Sequence, residues 1–262
     1  MKAIILAAGK GSRLGAFTES RPKCMLRFGG RPLVHHQLDA LKGAGISDVS
    51  IVAGYHADLI DAPGTKVYLN RDYEHTNMVV SLMAAAAELQ GDVIVVYGDI
   101  IFDANLLATV LAASACDIGV TVDRDWQEYY AARFDDPASD AESLSLSETG
   151  TIRDIGRANP DAKDVHGRYV GVLRFTNRGC EIVTSVYAEL QRRADAAWRF
   201  RSRSMPGLFM TDFLQLIVDA GHPVQAISVN RGWIEFDTVE DVNRANMWRR
   251  TGVLTRFLRS SI

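Results

Sequence analysis

Two hydrophobic rhythms alternate along the first half of the chain. Short apolar runs occur at Lys2–Leu6, Val49–Ala53, Lys66–Leu69, Val93–Tyr97 and Ile118–Val122. Most are β-branched and apolar at successive positions, as expected of strands buried on both faces of a parallel sheet. Between them, apolar residues recur at helical spacing over Pro32–Ala44, Met78–Leu89 and Ala104–Ser114. Pro32 suits a first helical turn, and Gly45 suits a helix end. Strand and helix in alternation predict an α/β fold built on a doubly wound, mixed but mainly parallel sheet. Ligands on such sheets sit at the carboxyl ends of the strands.

After Asp123 the pattern changes. Glu142–Leu146, Ile152–Ile155 and Tyr169–Phe175 read as β segments with short turns, and Asp135–Asp140 as a polar loop. Helical spacing resumes at Asn177–Arg193 and Thr211–Ala220, followed by a strand at Val224–Val229 and a helix at Val239–Arg250. The expected organisation is a single domain over 1–262. Its first, α/β half ends near residue 123, a β-rich insertion spans about 124–236, and a C-terminal helix and tail follow at 237–262. The arginine-rich stretch Arg192–Pro206 is the candidate for a segment that closes over substrate. Thr251–Ile262 carries Leu254, Phe257 and Leu258 at helical spacing. It reads either as a docking helix, which would serve a homo-oligomer, or as a packed tail.

The chain has 262 residues, 47% of them hydrophobic, enough for one large α/β domain or a domain with an insertion. A net charge of −3 gives no bulk electrostatic case for nucleic acid, so any anion site must be local. Cys24, Cys116 and Cys180 have neither zinc spacing nor the makings of a disulfide framework, which suits a reduced, cytoplasmic protein. The apolar run before Gly9 is too short for a signal peptide, and no stretch is long enough to enter a membrane.

The chemistry begins where the first strand ends. Leu6-Ala7-Ala8-Gly9-Lys10-Gly11-Ser12-Arg13-Leu14 is a glycine-bearing loop, followed by Arg21-Pro22-Lys23. Glycines let backbone N–H groups come close to phosphate oxygens. Arg13 can fork two oxygens, and Lys23 adds a point charge. The pattern G-x-G-[ST]-R-[LM] is neither a Walker A loop nor the dinucleotide fingerprint. It reads as a cradle for a polyphosphate.

These residues carry a resemblance. The opening LAAGxGxRL with a following Pro-Lys resembles the nucleotidyltransferase family that makes nucleoside-diphosphate sugars and alcohols. Three further stretches narrow it: Tyr73–Leu82 with its Thr76-Asn77-Met78 turn, Gly98-Asp99, and Gly232–Asp241. Together they are similar to the phosphocholine cytidylyltransferase-like branch, which uses CTP to activate small phosphorylated alcohols, phosphonates or phosphorylated amino acids. The resemblance implies a Rossmann-like nucleotidyltransferase fold with a β-rich acceptor-binding insertion. It also implies a nucleoside triphosphate and Mg²⁺ at the strand ends. The nucleotide would be held by Leu6, Ala7, Ala8, Gly9, Gly11, Ser12, Arg13, Lys23, Thr76, Asn77, Met78, Ser81 and Gly98.

Asp99 follows a buried apolar strand with no apolar reason to be there, and Asp237 arrives from far along the chain. Both could be caps; together they suit one Mg²⁺, which takes hard oxygen ligands and few of them from protein. Asp103 reads as the cap of the next helix. Thr238 is the better cap for the last helix, although a strict capping box fails because Asp241 replaces Glu or Gln. The Asn77 amide, with donor and acceptor, suits a pyrimidine edge, and Ser81 lies one turn along. The turn also reads simply as a helix N-cap.

The resemblance places the acceptor among Trp126, Arg133, Glu142, Arg157, Tyr169, Asp212 and Glu235. Arg133 would hold the acceptor's phosphate, and Glu142, Tyr169 and Asp212 its far end. Core aromatics are the competing reading for Trp126 and Tyr129. The branch often has Glu or Gln where this chain has Arg168. An extra cation does not suit choline and leaves room for an acceptor bearing a carboxylate or hydroxyls; the competing reading of Arg168 is a solvated surface residue. The implied reaction is Mg²⁺-dependent transfer of CMP from CTP to the phosphate or phosphonate of a small acceptor, with Arg13, Lys23, Asp99 and Asp237 catalytic. The alternatives are a sugar-1-phosphate nucleotidyltransferase using UTP, dTTP or GTP, and a non-catalytic nucleotide-binding regulator.

Overall fold

The computed structural model describes residues 1–113, 116–136, 141–195 and 197–259. Its centre is a seven-stranded sheet. In chain order the strands are β1 (Lys2–Ala7), β2 (Val49–Ala53), β3 (Lys66–Leu69), β4 (Val93–Tyr97), β5 (Ile118–Asp123), β6 (Arg168–Phe175) and β7 (Gln225–Val229). Across the sheet they run β7-β5-β6-β4-β1-β2-β3. Only β6 is antiparallel to its neighbours; β1 is parallel to both β2 and β4, β2 to β3, and β5 to β7. The order reverses between β1 and β4, so their carboxyl ends open the crevice where such sheets take ligands.

Seven helices are described: α1 (Leu33–Gly43), α2 (Met78–Ala84), α3 (Ala104–Ala112), α4 (Trp126–Arg133), α5 (Asn177–Arg193), α6 (Met210–Asp219) and α7 (Val239–Thr251). They divide the core in two. One apolar cluster joins Ile5, Ile51 and Val96 to Leu33, Leu107 and Trp248; the other joins Ile4, Val52 and Val95 to Leu82, Val183 and Phe213. Successive strand residues bury opposite faces, which is why the strands read as continuous apolar runs. None of the described helices is long and apolar enough to cross a membrane.

Two expectations need correction, one helix was not expected, and one pair of alternatives is decided. The helix expected over Met78–Leu89 ends at Ala84 and continues as a 3₁₀ turn, Ala86–Glu88. Glu88 is turned back under Lys2, Lys66 and Tyr68 there. Helix α4 was not expected, yet its buried residues Trp126, Tyr129, Tyr130 and Arg133 fall at i, i+3, i+4 and i+7. The capping box at α7 does form: Thr238 Oγ1 accepts from Asp241 N–H at 3.1 Å, and Asp241 Oδ2 accepts from Thr238 N–H at 3.0 Å. The shorter Asp side chain closes the same reciprocal pair that Glu usually makes. Of the two readings of the tail, the packed one holds: Leu254, Phe257 and Leu258 are buried, and the Phe257 and Trp248 rings meet at a tilt with centroids 4.7 Å apart. Residues 260–262 of that tail, residue 114 at the expected end of α3, residues 137–140 of the polar loop and residue 196 of Arg192–Pro206 lie outside the described residues.

A two-stranded ribbon, Ile100–Phe102 against Trp233–Glu235, runs beyond the end of β4. The Asp123 side chain ties it down, accepting from Trp233 Nε1 at 2.9 Å and from Arg231 N–H at 3.0 Å. A second hairpin, Glu142–Leu146 with Ile152–Ala158, packs on α6 beside β6.

Candidate active site

The loop after β1 leaves the sheet, and its backbone is set by Gly11, in the left-handed region at φ 67°. A Cβ on Gly11 would come within 3.2–3.3 Å of the Lys23 stem, so the glycine lets that lysine pass beneath the loop. Gly98 has a different role. A Cβ there would stand 2.9 Å from the Leu6 carbonyl oxygen, where the ends of β1 and β4 close up through Gly98 N–H to Leu6 O at 2.8 Å. The two strand ends and the turn before α2 enclose a cavity of about 280 Å³. Leu6, Ala7, Ala8, Gly9, Gly11, Ser12, Arg13, Lys23, Thr76, Asn77, Met78, Ser81, Gly98, Asp99 and Asp237 all line it. Tyr73 and Tyr97 line it too and were not anticipated; Tyr97 ends a buried strand, where its type signals only core.

The charged groups converge on one point. Lys23 Nζ lies 2.6 Å from Asp99 Oδ2 and 2.5 Å from Asp237 Oδ1, and Arg13 Nη2 lies 2.7 Å from Asp237 Oδ2. Burial works against the Lys23 ammonium, but Asp99 and Asp237 outweigh it and hold its pKa above the ordinary lysine range. Burial likewise opposes charge on Asp237, yet Lys23 and Arg13 hold its carboxyl below the usual range. The ribbon brings the two carboxylates together: Phe236 N–H donates to the Asp99 carbonyl at 3.0 Å, so Asp99 enters one strand where Asp237 leaves the other. Glu235 joins them, and oxygens of Asp99, Glu235 and Asp237 lie within 4.8 Å of one another. Burial pushes the Glu235 carboxyl up to about 6, against the pull of Arg133. Asp99 Oδ1 is buried without a hydrogen-bond partner among the described residues. Clustered hard oxygens, one of them unsatisfied, suit Mg²⁺.

Asn77 caps α2, its Oδ1 accepting from Met78 N–H at 2.8 Å, while its own N–H donates to the Pro206 carbonyl at 2.9 Å. The turn is thus a helix cap that also lines the cavity. Asn70 supports the wall from behind, donating to Thr76 Oγ1 at 2.9 Å and Ser81 Oγ at 3.0 Å.

A second cavity of about 260 Å³ adjoins the first, and Arg13, Met78 and Tyr97 line both. Glu142, Tyr169 and Glu235 line it, as do Tyr130, Arg168, Phe209, Met210 and Thr211. Burial raises the Glu142 carboxyl and both the Tyr97 and Tyr169 phenols.

Four residues expected at the acceptor do not line this cavity. Arg133 is buried and committed to carboxylates: its Nε and Nη2 each lie 2.9 Å from Asp241, and its Nη1 lies 2.6 Å from Glu235. Asp241 Oδ2 in turn accepts from Asp237 N–H at 3.1 Å, so Arg133 braces the acidic cluster from behind. Trp126 lies in the core stripe of α4. Arg157 faces solvent and pairs with Asp154 and Asp164. Asp212 is fully buried, bonding Phe209 N–H at 3.0 Å at the start of α6 and pairing with Arg203. Each of these side chains found a closer partner within the fold, which residue type alone could not reveal.

Known proteins resemble this chain. A family model described as "MobA-like NTP transferase domain" matches residues 3–162. A CTP:phosphoglutamine cytidylyltransferase of Campylobacter jejuni is 28% identical over 253 residues, covering 92% of this chain and 98% of that protein. A choline-phosphate cytidylyltransferase of Streptococcus pneumoniae is 36% identical over 99 residues, 36% of this chain and 43% of its own length. Among solved structures, the inositol-1-phosphate CTP transferase of T. maritima superposes with a TM-score of 0.72 at 22% identity, covering 98% of this chain and 97% of that one, a likeness of fold. With the glycine loop and every residue lining the strand-end cavity except Asp237 inside the matched span, the chain belongs to the MobA-like NTP transferase domain family.

Proposed function

We propose that the protein is a cytidylyltransferase, transferring CMP from CTP to the phosphate or phosphonate of a small acceptor and releasing pyrophosphate. One observation carries the reading: Arg13, Lys23, Asp99 and Asp237 meet in a cavity at the β1/β4 crevice that opens onto a second cavity. The two fit a nucleotide and an acceptor. The resemblance to named CTP-using transferases supports the choice of base. On this reading 1–262 works as one nucleotidyltransferase unit in the cytoplasm.

An acceptor oxygen, already ionised at neutral pH, attacks the α-phosphorus of CTP in line. The new P–O bond forms as the bond to the β-phosphate breaks, and pyrophosphate leaves with the electron pair. No covalent enzyme intermediate is required, so the protein's task is positioning and charge neutralisation. The glycine loop turns its N–H groups to the phosphates. Lys23, kept charged by its carboxylate neighbours, and Arg13 neutralise the α-phosphate and the departing pyrophosphate. Asp99 and Asp237, with Glu235 beside them, would hold Mg²⁺. When bound, that ion screens the two anionic reactants from each other and polarises the α-phosphate.

The test is pyrophosphate release with Mg²⁺, each nucleoside triphosphate in turn, and a panel of small phosphate, phosphonate and sugar-phosphate acceptors. Turnover with CTP and one small acceptor is expected. Turnover only with UTP, dTTP or GTP and a sugar phosphate would replace this reading with the sugar-nucleotide one. No nucleotide binding at all would overturn it.

A further inference from the structure

We infer that the Lys23 ammonium and a divalent ion exchange places on Asp99 and Asp237. Lys23 holds both carboxylates until a nucleoside triphosphate draws its ammonium onto the phosphates, and only then do the two aspartates take Mg²⁺. The inference rests on the cytidylyltransferase reading and adds an order of assembly to it. Three of the four side-chain oxygens of these aspartates already bear a cation. Lys23 Nζ bridges Asp99 Oδ2 at 2.6 Å and Asp237 Oδ1 at 2.5 Å, and Arg13 Nη2 takes Asp237 Oδ2 at 2.7 Å. The fourth, Asp99 Oδ1, is buried without a hydrogen-bond partner among the described residues. An ion that ligates both aspartates needs an oxygen of each at about 2.0–2.1 Å. Drawing on the same oxygens, it would stand beside the ammonium, charge against charge.

The two cations on Asp237 differ in how freely they can leave. The Arg13 side chain is 66% exposed and can turn to water, whereas that of Lys23 is 13% exposed. A buried ammonium stripped of both counter-charges is strongly penalised unless it gains another anion. The fold provides the place for one. The Lys23 stem passes under Gly11, whose Cβ would stand 3.2–3.3 Å from it, and Gly9, Gly11 and Ser12 line the same cavity as Lys23 and both aspartates. Rotation of the flexible outer stem carries the ammonium from the carboxylates to a phosphate lying on that loop. Triphosphate and metal therefore favour each other through Lys23, besides any ligation of the ion by phosphate oxygens, and the linkage is reciprocal. Once pyrophosphate leaves, the ammonium closes back on the aspartates.

Mn²⁺, standing in for Mg²⁺, is the probe. Its free concentration is read by electron paramagnetic resonance with no acceptor present, so turnover does not intervene. Lys23→Met keeps the stem and removes the charge. Without nucleotide, this variant should bind Mn²⁺ about tenfold more tightly than the native protein. With CTP saturating, and the Mn²⁺ held by unbound CTP subtracted, the two should agree within about threefold. A lysine that stays between the aspartates would give equal tightening in both states, and that result overturns the inference. So does an absence of tightening without nucleotide, because the ammonium then does not compete with the ion. Adding Asp99→Asn to Lys23→Met should abolish the tightening; its persistence would put the ion elsewhere and overturn the inference as well. Lys23→Gln, checked with Lys23→Met for a native circular dichroism spectrum, should repeat the pattern, so that one poorly folded variant does not decide the matter. Failure of the native protein to bind CTP, with or without the ion, would remove the cytidylyltransferase reading and the inference together. CTP binding with equal tightening would remove the inference alone.

Discussion

Single side chains set the chemistry, and the sharpest case is Lys23. It is held between Asp99 and Asp237 at 2.6 and 2.5 Å, so its charge is assured while it remains able to face phosphate. Lys23→Ala should lower kcat/KM for CTP by about 10²–10³-fold, read from initial rates of pyrophosphate release; an unchanged value would remove Lys23 from the phosphate site. Asp99→Asn and Asp237→Asn should keep their circular dichroism spectra and lose nearly all turnover; near-normal activity in either would sink the metal assignment. Arg133 is the instructive contrast. Removing one partner of a buried ion network leaves the others unpaired, at a cost of about 3–5 kcal/mol. Arg133→Met should therefore show a markedly lower denaturation midpoint. A residue that only gripped the acceptor would raise its KM and leave that midpoint alone.

At the scale of elements, the ends of β1 and β4 must lie close for one cavity to reach both. Gly98 permits it, since a methyl group there would press on the Leu6 carbonyl and on Ala7. Gly98→Ala should destabilise the fold by about 1–3 kcal/mol through overpacking and slow turnover together, measurable by urea titration beside the assay. The ribbon of Ile100–Phe102 and Trp233–Glu235 matters as much. Asp99 lies just before one of its strands and Asp237 just after the other, and Asp123 and the Asp241–Arg133 pair brace it. The cap of α7 shares that bracing, because Asp241 serves Thr238, Asp237 and Arg133 at once.

Across the whole molecule, the edge of the sheet is tied to its centre by one carboxylate. Glu88 accepts from Lys2 at the start of β1 and from Lys66 and Tyr68 on β3. The Lys2 and Tyr68 hydrogen bonds, working against burial, bring its carboxyl down to about 2. A depressed folded-state pKa stabilises above the unfolded value of about 4.3, and that stability is lost as pH falls toward 2. Glu88→Gln should thus melt a few degrees below the native protein at pH 7, and the gap should close between about pH 4.5 and pH 2. A gap independent of pH would assign the effect to packing rather than charge.

The alternating runs, the glycine loop and the residue types at its rim determine the α/β class, the position of that loop at the end of β1 and the crevice it faces. These are local properties: strand periodicity and backbone freedom are written within a few consecutive residues. The Trp126–Tyr129–Tyr130–Arg133 stripe was local as well, and helical spacing alone could have identified α4. Only the tertiary structure decides which carboxylates share a cation, because Asp99 and Asp237 meet through a ribbon whose strands are far apart in sequence. It also decides that Arg133 braces the cluster while Arg168 lines the second cavity. Both arginines are buried; what separates them is which carboxylates and ring faces the folded chain brings within a few ångströms, and no spacing along the sequence encodes that.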